Sequence, residues 1–176
     1  MPMAELNVLV VFYSRYGEAE KLALAAGVGA IQMKANIRLR RLADLTDAAT
    51  IGADARWKAN LDRMNMDYVA PRPADPEWAD LIVLAAPANA PREVEEYCRQ
   101  LQATASMAGK MAAPLVPGGA ADCYRRISAA ATAAGFVLAP ADPADGQHTD
   151  GARMYGRRAS EAARAMKDQS SGSKRL

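Results

Sequence analysis

One histidine, His148, and two cysteines, Cys98 and Cys123, are all that 176 residues supply of the side chains that most often bind transition metals. A structural zinc site takes four such ligands, and a Ser-His-Asp triad needs a histidine among its partners, so neither chemistry has material here. No catalytic side chain and no metal ligand is assigned. The cysteines fall at helical spacing, Cys98 with Val94 and Leu101, and Cys123 with Ile127, as small core residues do. A reactive thiol would need a positive, partly open surrounding. Long apolar runs are also missing. The longest, Leu81 to Ala88, is far short of a membrane span, so no membrane partner is expected. No Lys or Arg precedes the first apolar run, as a secretory signal would require. The cytoplasm is therefore the expected location. Charge of one sign is scarce too: 22 basic residues against 20 acidic ones leave a net charge of +2. With no basic block interleaved with aromatics, no nucleic-acid partner is expected.

What remains is an ordinary globular mixture, 51% hydrophobic and 24% charged, enough for one core. A single domain over 1–166 is expected. The Ser/Gly/Lys-rich stretch 167–176 has little to bury and reads as a disordered tail.

Asn7 to Tyr13 (NVLVVFY) is a continuous β-rich apolar run, the mark of a strand buried on both faces. Gly17 to Gln32 has helical spacing. Asn36 to Leu42 (NIRLRRL) alternates apolar and basic, like a strand near a sheet edge. Between Ala43 and Pro76 only Asp54 to Asn65 has helical character. Leu81 to Ala85 is a second central strand, followed by a helix over Pro91 to Ala103. Its first turn holds Pro91, Glu93, Glu95 and Glu96, which suits the positive end of a helix dipole. Ala112 to Val116 reads as a strand, Gly118-Gly119 as a tight loop, Ala120 to Gly135 as a helix and Phe136 to Ala139 as a short strand. A loop over Pro140 to Gly151 then leads to a helix from Ala152 to Lys167. Alternating strands and helices imply an α/β doubly wound parallel sheet of five strands, in the order 2-1-3-4-5. Ligands of such sheets sit at the C-terminal ends of strands 1 and 3.

Three loops would meet there. In the first, Ser14, Arg15, Tyr16, Gly17, Glu18 and Ala19 lead into helix 1, whose free amides and dipole favour an anion. Ser14 could equally serve as a plain helix cap. In the second, Pro87, Ala88, Asn89 and Ala90 are small enough for a flat ring to approach the backbone, although a Pro-bounded turn would look the same. In the third, Pro117, Gly118 and Gly119 form a compact, side-chain-poor turn. Gly27-Val28-Gly29 lies inside a helix and reads as close helix packing. Trp57, Met64, Met66 and Tyr68 read as local core, and Arg157, Arg158 and Arg164 as a solvated helix face.

YSRYGEAEKLA resembles the phosphate loop of the flavodoxin-like NAD(P)H:quinone oxidoreductases of the WrbA family, typically tyrosine-serine-x-tyrosine-glycine. WADLIVLAAPANAP is similar to that family's second loop segment. GKMAAPLVPGG and DGARMYG resemble later segments less closely. The resemblance runs from about Asn7 to Gly156 and implies a flavodoxin-like fold. It also implies an FMN cofactor, NAD(P)H as donor and a quinone-like acceptor. By position, Ser14 to Ala19 would surround the FMN phosphate, Pro87 to Ala90 would line the ring and ribityl chain, and Pro117 to Gly119 would close the far edge. A homo-oligomer, dimer or tetramer, is implied as well. The sequence departs from the family where Glu18 and Ala19 replace a histidine or asparagine and a small or hydroxylated residue. Repulsion between Glu18 and a phosphate would be offset in part by Arg15. Asn89 and Ala90 replace an arginine and a phenylalanine, and the third loop lacks hydroxyls. A flavodoxin-fold binding or scaffold protein that has lost its flavin is the alternative these departures leave open.

Overall fold

The computed structural model describes residues 3–142 and 145–173. Five parallel strands form one sheet: β1 (Asn7–Phe12), β2 (Asn36–Arg41), β3 (Leu81–Ala85), β4 (Met111–Leu115) and β5 (Val137–Leu138). Their spatial order is β2-β1-β3-β4-β5, as the alternating pattern predicts. Phe12 stands opposite Arg41 on one side and Ala85 on the other, and Ala85 opposite Leu115. The C-terminal ends of β1, β3 and β4 are therefore level, and the loops that follow them leave from one edge. β4 carries Pro114, unusual away from a sheet edge because proline has no N–H to give the ladder. Met111 N bonds Asp80 O on the β3 side, so by alternation the Pro114 nitrogen faces the other way. There β5 pairs only with Met111 and Ala112 and has already ended, so no ladder bond is lost.

Helices cover both faces. On one, α1 (Glu18–Gln32) and α7 (Thr149–Ser173) enclose a core with Val8, Val10 and Phe12. On the other, α5 (Arg92–Thr104) and α6 (Ala121–Ala134) pack over Leu9, Val11, Ile82 and Leu84. Cys98 and Cys123 are buried in this second core, as their spacing predicts. The Gly27-Val28-Gly29 stretch does serve helix packing. A Cβ on Gly29 would lie 2.0 Å from the Arg153 carbonyl oxygen of α7.

The segment between β2 and β3 holds more structure than its sequence suggests: α2 (Ala48–Gly52), α3 (Ala55–Asp67) and α4 (Ala74–Trp78). Asp47 and Asp54 cap α2 and α3, accepting from Thr50 N and Trp57 N. These are N-cap bonds of the kind aspartate favours. After α3 the chain returns parallel to β2, with Val69 bridging Arg40 at the sheet edge. Met64 packs into the α1–α7 core, and Tyr68 stands edge-to-face on Phe12 at 4.9 Å. The connection thus crosses on the α1 side. On the α5 side β2 presents Arg38 and Arg40, both bonded to the buried Asp75 of α4. Met66, expected in the local core, is 89% exposed, because it lies on the outer side of α3 from Met64.

Two further expectations are corrected. Helix α7 runs to Ser173, beyond the Lys167 boundary, and only 174–176 of the expected tail lie outside the described residues. Lys167 Nζ donates to Glu5 O and Asp80 Oδ2, tying the helix to the start of β1 and of β3, and Ser170 Oγ donates to Met166 O within the helix. Nor do Arg157, Arg158 and Arg164 make one solvated face. Arg157 is exposed, but Arg158 pairs with Asp145 at 2.8 Å and Arg164 is buried with its Nε donating to Ala4 O.

Candidate functional site

The first loop leaves β1 at Tyr13, still tied to the sheet by its amide to Ala85 O. Ser14 is buried, and its Oγ accepts from Gly17 N at 3.1 Å. That bond closes the loop before the helix begins and does not cap the helix itself. Gly17 is the N-cap residue, at φ +101°, where a Cβ would be strained, and no side chain caps α1. The amides of Glu18 and Ala19 meet no acceptor among the described residues. A tight loop, a left-handed glycine and bare amides at a helix start make a cradle suited to a phosphate ester.

The charges around this cradle are set by the segment after β2. Glu18 is exposed, with no ion pair among the described residues. Arg15 does not serve it. The Arg15 guanidinium lies 4.3 Å over the Trp57 ring and its Nε donates to the Tyr13 hydroxyl at 3.0 Å. The acid beside the loop is Glu20, buried in the first turn of α1. It accepts from both Arg63 terminal nitrogens, at 2.6 and 3.0 Å, and from the Tyr68 hydroxyl. Burial alone would raise the Glu20 pKa, but the bonds from Arg63 and Tyr68 outweigh it and hold the carboxyl below its usual range. The carboxylate is thus neutralised from outside the cradle.

Asp44 is the hub of this neighbourhood. It accepts from the Tyr13 hydroxyl at 2.7 Å, from Trp57 Nε1 at 3.2 Å and from Arg41 at 3.0 Å. Burial and the Asp44 bond push the Tyr13 phenol well above its ordinary pKa, so the ring stays neutral. Tyr16 is partly exposed. Its hydroxyl donates to Asp54 and the Arg56 guanidinium lies 4.8 Å from its ring centre. Sequence reasoning missed Asp44, Asp54, Trp57, Arg63 and Tyr68 as neighbours of the loop. Asp54 before a helical stretch was a legible cap signal; nothing local marked the others.

In the second loop Ala90 N bonds Pro87 O at 3.1 Å, closing a turn that exposes Ala88 and Asn89 and buries Ala90. Pro87 O also accepts from the Cys123 thiol, which ties the turn to α6. The third loop is a 3-10 turn, with Gly118 and Gly119 both at positive φ. Two of its amides are already taken, Gly118 N by Gly146 O and Gly119 N by Val116 O. Gln147 Nε2 donates to Gly118 O, so the segment before α7 braces the turn. A cleft of about 460 Å³ opens beside it, lined by Pro114, Val116, Gly119 and Tyr124 among others. Helix α1 touches this turn, so the first and third loops are neighbours. The second leaves from the strand between them in the sheet. Among the described residues no group of His, Cys, Asp and Glu could hold a metal. None of the described helices is long and apolar enough to cross a membrane.

The chain has the flavodoxin fold. It superposes on a flavodoxin from the domain Archaea with a TM-score of 0.60, at 14% identity, over 90% of this chain and 99% of that one. A short-chain flavodoxin associated with a non-canonical PDU bacterial microcompartment gives 0.56 at 15% identity, with the same coverage. In sequence, 84 residues are 32% identical to an NAD(P)H dehydrogenase (quinone) of Deinococcus radiodurans, in line with the resemblance read from the motifs. That match takes in 48% of this chain, which spans only 42% of the relative's length. No family model matches the chain.

Proposed function

We propose that this protein is an FMN-binding oxidoreductase that takes reducing equivalents from NAD(P)H and passes them to a quinone-like acceptor. The observation that carries the proposal is the uncapped start of α1 behind Ser14 and Gly17. The name of the relative in Deinococcus radiodurans supports the donor and acceptor. Bound FMN would supply the hydride and electron chemistry, which protein side chains lack here. The chain's own part is to bind and orient. The amides of Glu18 and Ala19 and the Ser14 hydroxyl would hold the phosphate, with Arg15, Tyr16 and Gly17 shaping the loop. Arg63 and Tyr68 compensate the charge of the buried Glu20 beside the loop. The turns at Pro87, Ala88, Asn89 and Ala90 and at Pro117, Gly118 and Gly119 would flank the ring, admitting it to the backbone because they carry so little side chain. A cytoplasmic location and a homo-oligomer, dimer or tetramer, complete the reading.

The test is an absorption spectrum of the purified protein, then a titration of FMN against riboflavin. Quenching of FMN fluorescence with at least about tenfold weaker binding of riboflavin is expected, since riboflavin lacks the charge that the helix start holds. Colourless protein that quenches neither flavin would overturn the proposal in favour of a flavin-free binding protein.

A further inference from the structure

Another cleft shares no lining residue with the three loops. It measures about 490 Å³, within the range of small-molecule sites, and opens between the loop after β2, the proline-rich segment before α4 and the outer side of α5. It exists because α3 packs on the α1 side of the sheet. On the α5 side of β2 stand α4 and the loop segments that carry Leu42, Leu45, Pro71 and Pro73.

Two side chains in its wall are unpartnered. Glu93 is 4% exposed and makes no hydrogen bond or ion pair among the described residues, with Oε2 fully enclosed. Tyr97, one helical turn further along α5, is 6% exposed and its hydroxyl has no partner among the described residues. A buried polar group without a partner is costly, and native structures leave few of them. The contrast with the other buried acids is sharp. Glu20 has Arg63, Asp75 has Arg38 and Arg40, and Asp145 has Arg158. Among the buried acids of the described residues, Glu93 alone lacks an arginine. Glu77 and Glu96 also line the cleft, Glu96 already paired with Arg99, and Arg72 is the basic residue among its lining. Most of the remaining lining is apolar, Leu42, Leu45, Leu101 and the prolines among it, with Gln100 and Thr104 as its polar members.

We infer that this cleft binds a small organic cation, a protonated amine on a compact apolar body, whose ammonium group bonds Glu93 and Tyr97. The amine supplies the cation that every other buried carboxylate receives from an arginine, and the body fills the space between Leu42, Pro71 and Leu101. The site is independent of the flavin reading. It shares no residue with the three loops, and its test involves no flavin.

Benzylamine and benzyl alcohol, the same body with and without the positive charge, are the probes. They are titrated at neutral pH into the full chain and followed by amide chemical shifts. Saturable shifts centred on Glu93, Tyr97 and Leu101 are expected for benzylamine, with the alcohol about tenfold weaker or worse. Glu93→Gln, which keeps the shape, lowers benzylamine affinity by at least about tenfold. Should that variant fail to fold, Thr104→Trp, at an exposed position on the rim, closes the cleft without touching the core and abolishes the shifts. Equal binding of the two probes, shifts centred elsewhere, or no saturation by benzylamine in the millimolar range would each overturn the inference.

Discussion

Gly156 of α7 lies against the backbone of Ala26 in α1, so that a Cβ on it would stand 2.1 Å from the Ala26 carbonyl oxygen. Gly29 meets Arg153 in the same way, one helix supplying the glycine at each crossing. The two helices touch backbone to backbone, and the contact forms one wall of the core under the first loop.

Gly156→Ala and Gly29→Ala should each destabilise the fold, because the facing atom is backbone and cannot rotate aside. A loss of about 3 kcal/mol is expected for each, near the top of the range for overpacking. Urea unfolding measures it, and an unchanged midpoint for both variants would show that the helices can separate freely.

Gly17→Ala tests the first loop. A residue with a Cβ at φ +101° is strained by roughly 1–2 kcal/mol. The new methyl would have room, its nearest neighbour being Glu20 Oε1 at 3.7 Å. Stability should therefore fall modestly, while FMN quenching should weaken more than that of riboflavin, since in the proposed function the loop holds the phosphate that riboflavin lacks.

Acid stability should depend on Glu20. Its folded carboxyl titrates below the unfolded value of about 4.3, so the stabilisation is complete above that value. It is lost as pH falls through the lower, folded pKa. Glu20→Gln should flatten this acid limb and lower stability at neutral pH, read as thermal midpoints across an acid series. An unchanged acid limb would mean that Arg63 does not hold the carboxylate in solution.

Asp75 accepts from Arg38, Arg40 and the amide of Arg72, and is 1% exposed. Asp75→Ala should cost about 3 kcal/mol, at the low end for a broken buried pair because Arg38 reaches solvent. Chemical denaturation gives the figure, and a loss under a third of it would assign the pair a minor role.

The cysteines should be silent in the folded protein. Burial pushes the Cys98 thiol up to about 12 and the Cys123 thiol up to about 11. Thiol titration with a disulfide reagent at pH 8 should register neither until denaturant is added. Rapid reaction of either one in the native protein would contradict its place in the core.

The order of strands and helices was written in local patterns. NVLVVF and LIVLA can only be strands covered on both faces, and the helical stretches between them force parallel crossovers. Sheet order and the level ends of β1, β3 and β4 follow from that. So do the positions of the three loops. The segment between β2 and β3 was another matter. Its periodicity is weak, and Met64 and Met66 look alike in sequence, though one is buried and the other almost wholly exposed.

What the sequence by itself determined, then, was the fold and the sheet edge from which the three loops leave, because backbone periodicity is carried by neighbouring residues. Tertiary structure alone decided which charges meet there. Asp75 finds arginines 35 and 37 positions away, and Glu20 finds Arg63 at a separation of 43. Such pairings depend on which side of the sheet α3 crosses, and the same crossing left Glu93 beside an open cleft. No local pattern encodes that choice, since it is settled by how distant apolar surfaces compete to be buried together.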